Sequence, residues 1–325
     1  MDTDFSFSGL TPDTILDALE SIGVYASSGL LALNSYENRV YQFVADDTKR
    51  YVVKFYRPAR WTNEAIQEEH DFSKELTDED IPIAAPLAIN GKTLHKWQGY
   101  RFTLFDSVGG RQFELDNLDH LEWMGRFIGR IHKVGSAKQF QHRQTVNCEN
   151  TLDYALAILK NSELVPPTLE RAFGAILNPV IQLTEERFSN ISTQAIRLHG
   201  DCHPGNILWR DGPTFVDLDD AKNGPAIQEI WMMLSGDRNQ KLLQLDVLLE
   251  AYSEFNDMDK KEFALIEPLR AMRMVHHMGW LAQRWEDPAF PRAFPWFGQD
   301  KYWENQILAL KEQLAALDEP VLSLF

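Results

Sequence analysis

Apolar residues along this chain follow different periods before and after about residue 110. Ile15, Leu16, Leu19 and Ile22 recur every three or four positions, behind Thr11-Pro12 and before Gly23. A threonine N-cap, a proline at the first helical position and a glycine past the end predict a capped amphipathic helix with one face on a sheet. The runs 40–44 (Val-Tyr-Gln-Phe-Val) and 51–56 (Tyr-Val-Val-Lys-Phe-Tyr) are rich in β-formers and are separated by the turn-forming Asp46-Asp47-Thr48, which predicts an antiparallel hairpin. Residues 64–76 are polar and helix-compatible and stop before Ile81-Pro82, and 100–105 reads as another strand. Beyond Gly109-Gly110, a natural joint, the pattern turns helical: Leu121, Met124, Ile128 and Ile131 share one face, and the periodicity returns over 152–159, 168–188 and 242–255. A short hydrophobic island at 196–217 interrupts the helices. The fold class is therefore α+β.

Composition narrows the partners. Of 325 residues 44% are hydrophobic and 25% charged, which supports a large core and excludes a disordered chain. Forty-eight acidic against 32 basic residues leave a net charge of −16, which repels nucleic-acid backbones and anionic lipid. Two cysteines, Cys148 and Cys202, are too few for a disulfide framework or a four-thiolate zinc site and point to a reduced, cytoplasmic protein. The opening Met1-Asp2-Thr3-Asp4-Phe5 is acidic where a signal peptide would be basic, and no apolar stretch reaches the ~18 residues of a membrane span, so neither secretion nor membrane insertion is expected.

The chemistry concentrates in the island. His199-Gly200-Asp201-Cys202-His203-Pro204-Gly205-Asn206 precedes two β-prone runs joined at Asp211-Gly212, a two-residue hairpin signal. A turn centred there sets Asn206 opposite Asp217 on one face of the ribbon, with Cβ atoms about 5 Å apart; Pro213 offers an alternative register shifted by one. An amide oxygen and a carboxylate so placed suit Mg²⁺, whose remaining shell is water and phosphate. Asp201, across the Pro204-Gly205 bend, is then a carboxylate beside a metal-held nucleotide, able to accept or orient a hydroxyl proton. That points to phosphoryl transfer to an alcohol. Lys54 alternates with Val53 and Phe55, so its ammonium emerges on the face of Val52 and Tyr56, where it needs an anion. Phosphate supplies one, and a helical glutamate could hold the lysine in place.

His-Gly-Asp, with Asn206 five positions after Asp201 and Asp217 eleven further on, resembles the aminoglycoside phosphotransferase and choline kinase branch of the protein-kinase-like fold. Tyr56-Arg57-Pro58 after Lys54 and Asp217-Leu218-Asp219-Asp220 are similar in detail to its bacterial stress response kinase A group. The resemblance implies a bilobal, ATP- and Mg²⁺-dependent serine/threonine protein kinase, a monomer acting on protein hydroxyls, its own included. A nucleotide-covering lobe would span 1–107 and a helical catalytic and substrate lobe 108–325. Asp201 and Asp217 would be catalytic, Asn206 and Asp217 would hold the metal, and Lys54 the phosphates. Glu69 best matches the lysine's partner, with Glu64 and Glu68 as alternatives. Asn34-Ser35-Tyr36-Glu37-Asn38-Arg39-Val40 looks like the loop over the nucleotide. It has no G-x-G-x-x-G arch, so phosphate contacts fall to backbone amides and side chains around Ser35 and Asn38. A hinge at 106–108 would offer the backbone of Asp106 and Val108 to adenine. No Ala-Pro-Glu segment follows Asp217, which argues against control by activation-loop phosphorylation.

Other readings of these residues stay open at this level. Asp201 and Asp217 could be loop acids bonded to nearby amides, His199, Cys202 and His203 could ligate zinc, and Lys54 could be a solvated edge lysine. Ser35 could be an ordinary turn serine. Asp219 and Asp220 either extend the metal site or cap a turn. His276-His277 and the aromatics of 280–303 fit helix packing and a C-terminal wrap better than a metal or substrate site. The competing functions are a small-molecule kinase for a choline- or aminoglycoside-like cationic alcohol, which an acidic groove would suit, and a silent nucleotide-binding module.

Overall fold

The computed structural model describes residues 6–322 and 324; the acidic opening Met1-Asp2-Thr3-Asp4-Phe5 lies outside them. In chain order the elements are α1 (Pro12–Glu20), β1 (Leu31–Ala32), β2 (Arg39–Val44), β3 (Arg50–Phe55), α2 (Asn63–Asp78), β4 (His95–Trp97), β5 (Tyr100–Asp106), β6 (Arg111–Gln112), α3 (Leu118–Gly135), α4 (Tyr154–Asn161), α5 (Glu170–Ser189), β7 (Ile196–Leu198), β8 (Ile207–Trp209), β9 (Pro213–Phe215), β10 (Lys222–Gly224), α6 (Ile227–Trp231), α7 (Arg238–Tyr252), α8 (Ile266–Gln283), α9 (Ala289–Ala293) and α10 (Asp300–Asp318). The described residues of Met1–Glu114, Phe140–Arg143 and Asp201–Ala221 make one compact unit, and those of Leu115–Gln139, Gln144–Gly200 and Lys222–Phe325 make another.

In the first unit α1 begins as its sequence dictates: Thr11 Oγ1 accepts the Thr14 N–H at 3.2 Å and Pro12 opens the helix. Past its end Gly23 takes φ +82°. Ile15, Ala18 and Leu19 are buried in one core with Phe43, Val53, Phe55, Phe102 and Leu104 of the sheet. Its strand order is β1-β2-β3-β5-β4, antiparallel throughout. Burying a Val or Phe side chain stabilises by roughly 1.5–3 kcal/mol, so the Val53 and Phe55 face is held against α1. Lys54 is thereby turned to the opposite face. Lys54 pairs with Val40 on one side and Thr103 on the other, so it is interior to the sheet and not a solvated edge lysine.

β6, β8 and β9 form a second small sheet. Its hairpin register differs by one from a two-residue turn: Ile207 pairs with Phe215 and Trp209 with Pro213. A two-residue turn would need a donor at Pro213, which has no N–H. The loop takes three residues instead, with Asp211 at φ 56° and Gly212 at φ 139° and the Arg210 N–H bonded to Gly212 O at 3.0 Å. Asn206 therefore faces Val216, whose N–H donates to Asn206 O at 3.0 Å, and does not face Asp217. Gly110 is required where β6 meets β8, because a Cβ there would lie 2.9 Å from the Trp209 nitrogen. The segment 201–221, which carries β8 and β9, falls in the same compact unit as residues 1–114, with β6 paired to β8.

The second unit is mainly helical. α3 buries Leu121, Met124, Ile128 and Ile131, the face its periodicity marks. It approaches α7 so closely that a Cβ at Gly125 would meet Leu248 O at 2.3 Å. The 152–159 pattern resolves into a wide turn, Glu149–Asp153, followed by α4. His277 stacks on Trp280 within α8, and Phe290, Phe297 and Trp303 are fully buried among aromatic rings, which makes 280–303 a structural wrap. Among the described residues no helix is long and apolar enough to cross a membrane. No group of three or more His, Cys, Asp or Glu among them could hold a metal, which leaves the zinc reading of His199, Cys202 and His203 without support.

Glu262 is buried and accepts the Ile227 N–H at 2.9 Å at the start of α6; burial, the larger effect, pushes its carboxyl up to about 7. A raised carboxyl contributes stability below its ordinary value and loses it as pH rises through about 7. Glu262→Gln keeps an acceptor without the charge. The variant is expected to exceed the parent's stability at pH 8 by up to about 3 kcal/mol, with no gain at pH 4, as read by urea denaturation at both pH values.

Candidate active site

Helix α2 buries Ala65, Ile66, Glu69, Phe72, Ser73 and Leu76, so its one inward acid sits among apolar and small residues on the face turned to the protein interior. Lys54 Nζ lies 3.2 Å from Glu69 Oε1, 3.4 Å from Asp219 Oδ1 and 3.5 Å from Asp217 Oδ1. The other two candidate glutamates are engaged elsewhere or exposed: the Glu68 carboxylate accepts the Gln141 and His142 N–H groups at 2.7 and 2.9 Å, and Glu64 is in the exposed first turn of α2. Burial alone would lower the lysine, but the surrounding carboxylates, Asp219 and Glu69 foremost, hold it well above its ordinary value. Lys54 is thus a charged ammonium.

Asp219 is the hub of this cluster and is 3% exposed. Burial would raise its carboxyl, but Lys54, Arg60 and Arg143, with a bond from the Asn38 side chain, hold it far below the ordinary carboxylate range. Arg60 donates to Asp219 and, at 2.7 Å, to Asp220 Oδ1. Arg143 donates to Glu69 Oε2 at 3.0 Å, to the carbonyls of Asp219 and Ala221 at 2.9 Å each, and to Ala65 O at 2.8 Å. Sequence reasoning missed both arginines. One signal was available for them: a lone lysine cannot neutralise several buried acids.

Asp217 adopts the left-handed region, φ 62° and ψ 68°, a conformation that costs a non-glycine residue on the order of 1 kcal/mol. This redirects the chain directly after β9. Although the hairpin register sets Asn206 against Val216, Asp217 and Asn206 both line one cavity of about 340 Å³ with Lys54 and Glu69. Asp217's side chain is 50% exposed there, unlike that of Asp219. Asn206 Nδ2 donates to the backbone oxygen of Asp201 at 3.0 Å. His203 Nδ1 accepts the Gly205 N–H at 3.0 Å, so its ring proton is on Nε2, 3.3 Å from Asp201 Oδ2. His203 both caps the loop and orients the carboxylate.

Apolar residues, Val40, Val52, Ala84, Phe105, Leu208 and Val216, line the same cavity, as do Asp106 and Val108. Ser35 is on its wall and donates to Asn38 O at 3.3 Å. Asn38 is not among the lining residues. It is 2% exposed and its Oδ1 accepts the Arg57 N–H at 3.0 Å.

Residues 30–264 match the model of a phosphotransferase enzyme family. The chain belongs to that family. This phosphotransferase is 50% identical over 320 residues to stress response kinase A of Escherichia coli O157:H7, an alignment covering 98% of the chain and 97% of the relative. It is 49% identical over 323 residues to serine/threonine protein kinase RdoA of Salmonella typhimurium, covering 99% and 98%. Among solved structures, amicoumacin kinase hAmiN in complex with AMP-PNP, Ca²⁺ and Ami superposes with a TM-score of 0.73 at 16% identity, over 96% of each chain. The microcompartment-associated aminopropanol kinase gives 0.73 at 16%, over 95% of this chain and 99% of that one. The phosphotransferase therefore has the α+β kinase-like fold, with an antiparallel sheet in its N-terminal part and a mainly helical remainder.

Proposed function

We propose that this phosphotransferase is an ATP- and Mg²⁺-dependent serine/threonine protein kinase of a bacterial stress response, acting in the cytoplasm as a monomer. The observation that carries the acceptor class is near-full-length identity of about half to relatives named stress response kinase A and, in one case, serine/threonine protein kinase. The apolar part of the cavity lining takes adenine, with the backbone of Asp106 and Val108 along its edge, and residues 1–107 supply the cover. Lys54, fixed by Glu69, grips the triphosphate. The donor set fits a hard cation: Asp217 offers a half-exposed carboxylate, and Asn206, whose Nδ2 is engaged by Asp201, offers its amide oxygen. Mg²⁺ bound by these two residues would supply neutralisation of the nucleotide's phosphate charge. Asp201, oriented by His203, accepts the acceptor's hydroxyl proton as that oxygen bonds the γ-phosphorus and the bond to the bridging oxygen breaks, leaving ADP.

A second reading, a kinase of a small cationic alcohol, is favoured by the structural neighbours, whose names include aminopropanol and spectinomycin as well as amicoumacin. Labelled ATP and Mg²⁺ offered with a cell extract, a generic protein and a panel of amino alcohols decide between them. The expected result is label on Ser or Thr of proteins, the chain itself included. Rapid labelling of choline or an aminoglycoside with no protein labelling selects the second reading.

A further inference from the structure

The segment 34–38 contains no glycine, yet it brings Ser35 to the cavity wall. Arginines shape it. Arg57 Nε donates to Glu37 O at 2.9 Å and Nη2 to Tyr36 O at 3.1 Å, while Arg39 Nη1 donates to Tyr36 O at 3.1 Å. The Glu37 carboxylate lies 3.0 Å from Arg57 Nε and 3.7 Å from Arg60 Nε. The far edge of the Arg60 guanidinium donates to Asp219 and Asp220. The Arg60 side chain is 15% exposed and that of Asp219 4%, so these charge-assisted bonds are only weakly screened by water. One planar group thus touches both the loop that carries Ser35 and the segment that carries Asp217.

We propose that Arg60 is a positioning residue for phosphoryl transfer, a brace tying the glycine-free loop to the 217–220 segment and so setting Asp217 for the metal-bound triphosphate. The inference rests on the function proposed above for Asp217 and the loop. Arg60 does not line the cavity and acts through its neighbours. Asp219 is the anchor of the brace and not a metal ligand: its buried carboxylate is bonded to Arg60 with Lys54 Nζ 3.4 Å away, whereas Asp217 is half-exposed in the cavity. Where a glycine-rich loop reaches phosphate through backbone freedom, this loop is held in shape by side chains.

The test is calorimetry of AMP-PNP binding with and without Mg²⁺, beside kcat, KM for ATP and melting temperature, on Arg60→Gln, Arg60→Lys and Glu37→Gln. Arg60→Gln is expected to weaken Mg²⁺-dependent AMP-PNP binding about tenfold or more and to lower kcat/KM more than kcat. Arg60→Lys, which keeps the charge without the planar fork, recovers part of the loss. Glu37→Gln removes the carboxylate charge that faces Arg57 and Arg60 while leaving Asp219 paired, and raises KM for ATP in the same direction, so the proposal is testable even where Arg60→Gln fails to fold. Lower melting temperatures with Mg²⁺-dependent affinity within about twofold of the parent in Arg60→Lys and Glu37→Gln would mean a merely structural role and overturn the proposal. Failure of the parent itself to bind AMP-PNP with Mg²⁺ overturns the proposed function, and the brace with it, and is a separate result.

Discussion

Asp201→Asn is expected to bind Mg·ATP within about twofold of the parent while losing kcat by roughly 10²-fold or more. The two acids near Lys54 and Asn206 have different surroundings, and that difference carries the expectation. Asp201 is set by His203 and bonded to Asn206 through its backbone oxygen, so an amide of the same shape preserves the loop and removes only the proton acceptor. Asp217 is in the cavity beside Lys54, at a strained backbone position. Asp217→Ala is expected to abolish turnover and to lose Mg²⁺-dependent nucleotide affinity. Calorimetry with and without Mg²⁺, set beside single-turnover transfer, separates them. Equal losses of Mg·ATP affinity in both variants, or full activity in Asp201→Asn, would end this division of labour.

Lys54→Met is expected to lower transfer by about 10²-fold or more and to destabilise the fold, by less than the roughly 3–5 kcal/mol that a buried charge left without any partner costs, because arginines still face the acids it leaves. The side chain is 6% exposed and within 3.5 Å of three carboxylates, so its removal leaves Glu69 to Arg143 and Asp219 to Arg60 and Arg143. Asp219 is held below its ordinary value partly by Lys54. Its contribution is therefore complete above the ordinary carboxylate range and is lost only as pH falls through the depressed folded value. The stability gap between parent and variant is expected to be widest near pH 7 and to narrow in acid. Urea denaturation at the two pH values reads it, and a variant as stable as the parent would show that Lys54 does not hold the cluster together.

Local chemistry made much of this legible beforehand. The capped helix at Thr11-Pro12, the 40–44 and 51–56 hairpin and the inward stripe of α3 follow from periods and caps that neighbours in sequence determine. Lys54 is legible from the family resemblance together with strand alternation, and Glu69 only through that resemblance, which leaves Glu64 and Glu68 open beside it. The β8–β9 register is legible only as the shifted alternative that Pro213 offers; the Asp211-Gly212 turn signal by itself does not give it, because the missing N–H of Pro213 outweighs it. Nor is Asp219's place as the hub legible; it depends on Arg60 and Arg143 arriving from segments whose irregular backbone carries no period to read. Asn38 shows the same limit: its position in the loop suggested a phosphate contact, but burial and the Arg57 N–H make it a brace.

The compact unit containing Lys54 is assembled from three stretches of chain that are not consecutive, the last ending at Ala221. During synthesis, then, the sheet of β1 to β5 leaves the ribosome long before its partners. At about 5–20 residues per second, roughly 5–20 s separate residue 114 from residue 221. Through that interval Lys54 and Glu69 exist without Asp217 or Asp219, the Asp219 and Ala221 carbonyls that Arg143 bonds are not yet made, and β6 has no strand to pair with. The N-terminal sheet is therefore a waiting half-product, and the residues of the candidate site are not all present until the hairpin at 207–215 and the acids just after it have been made.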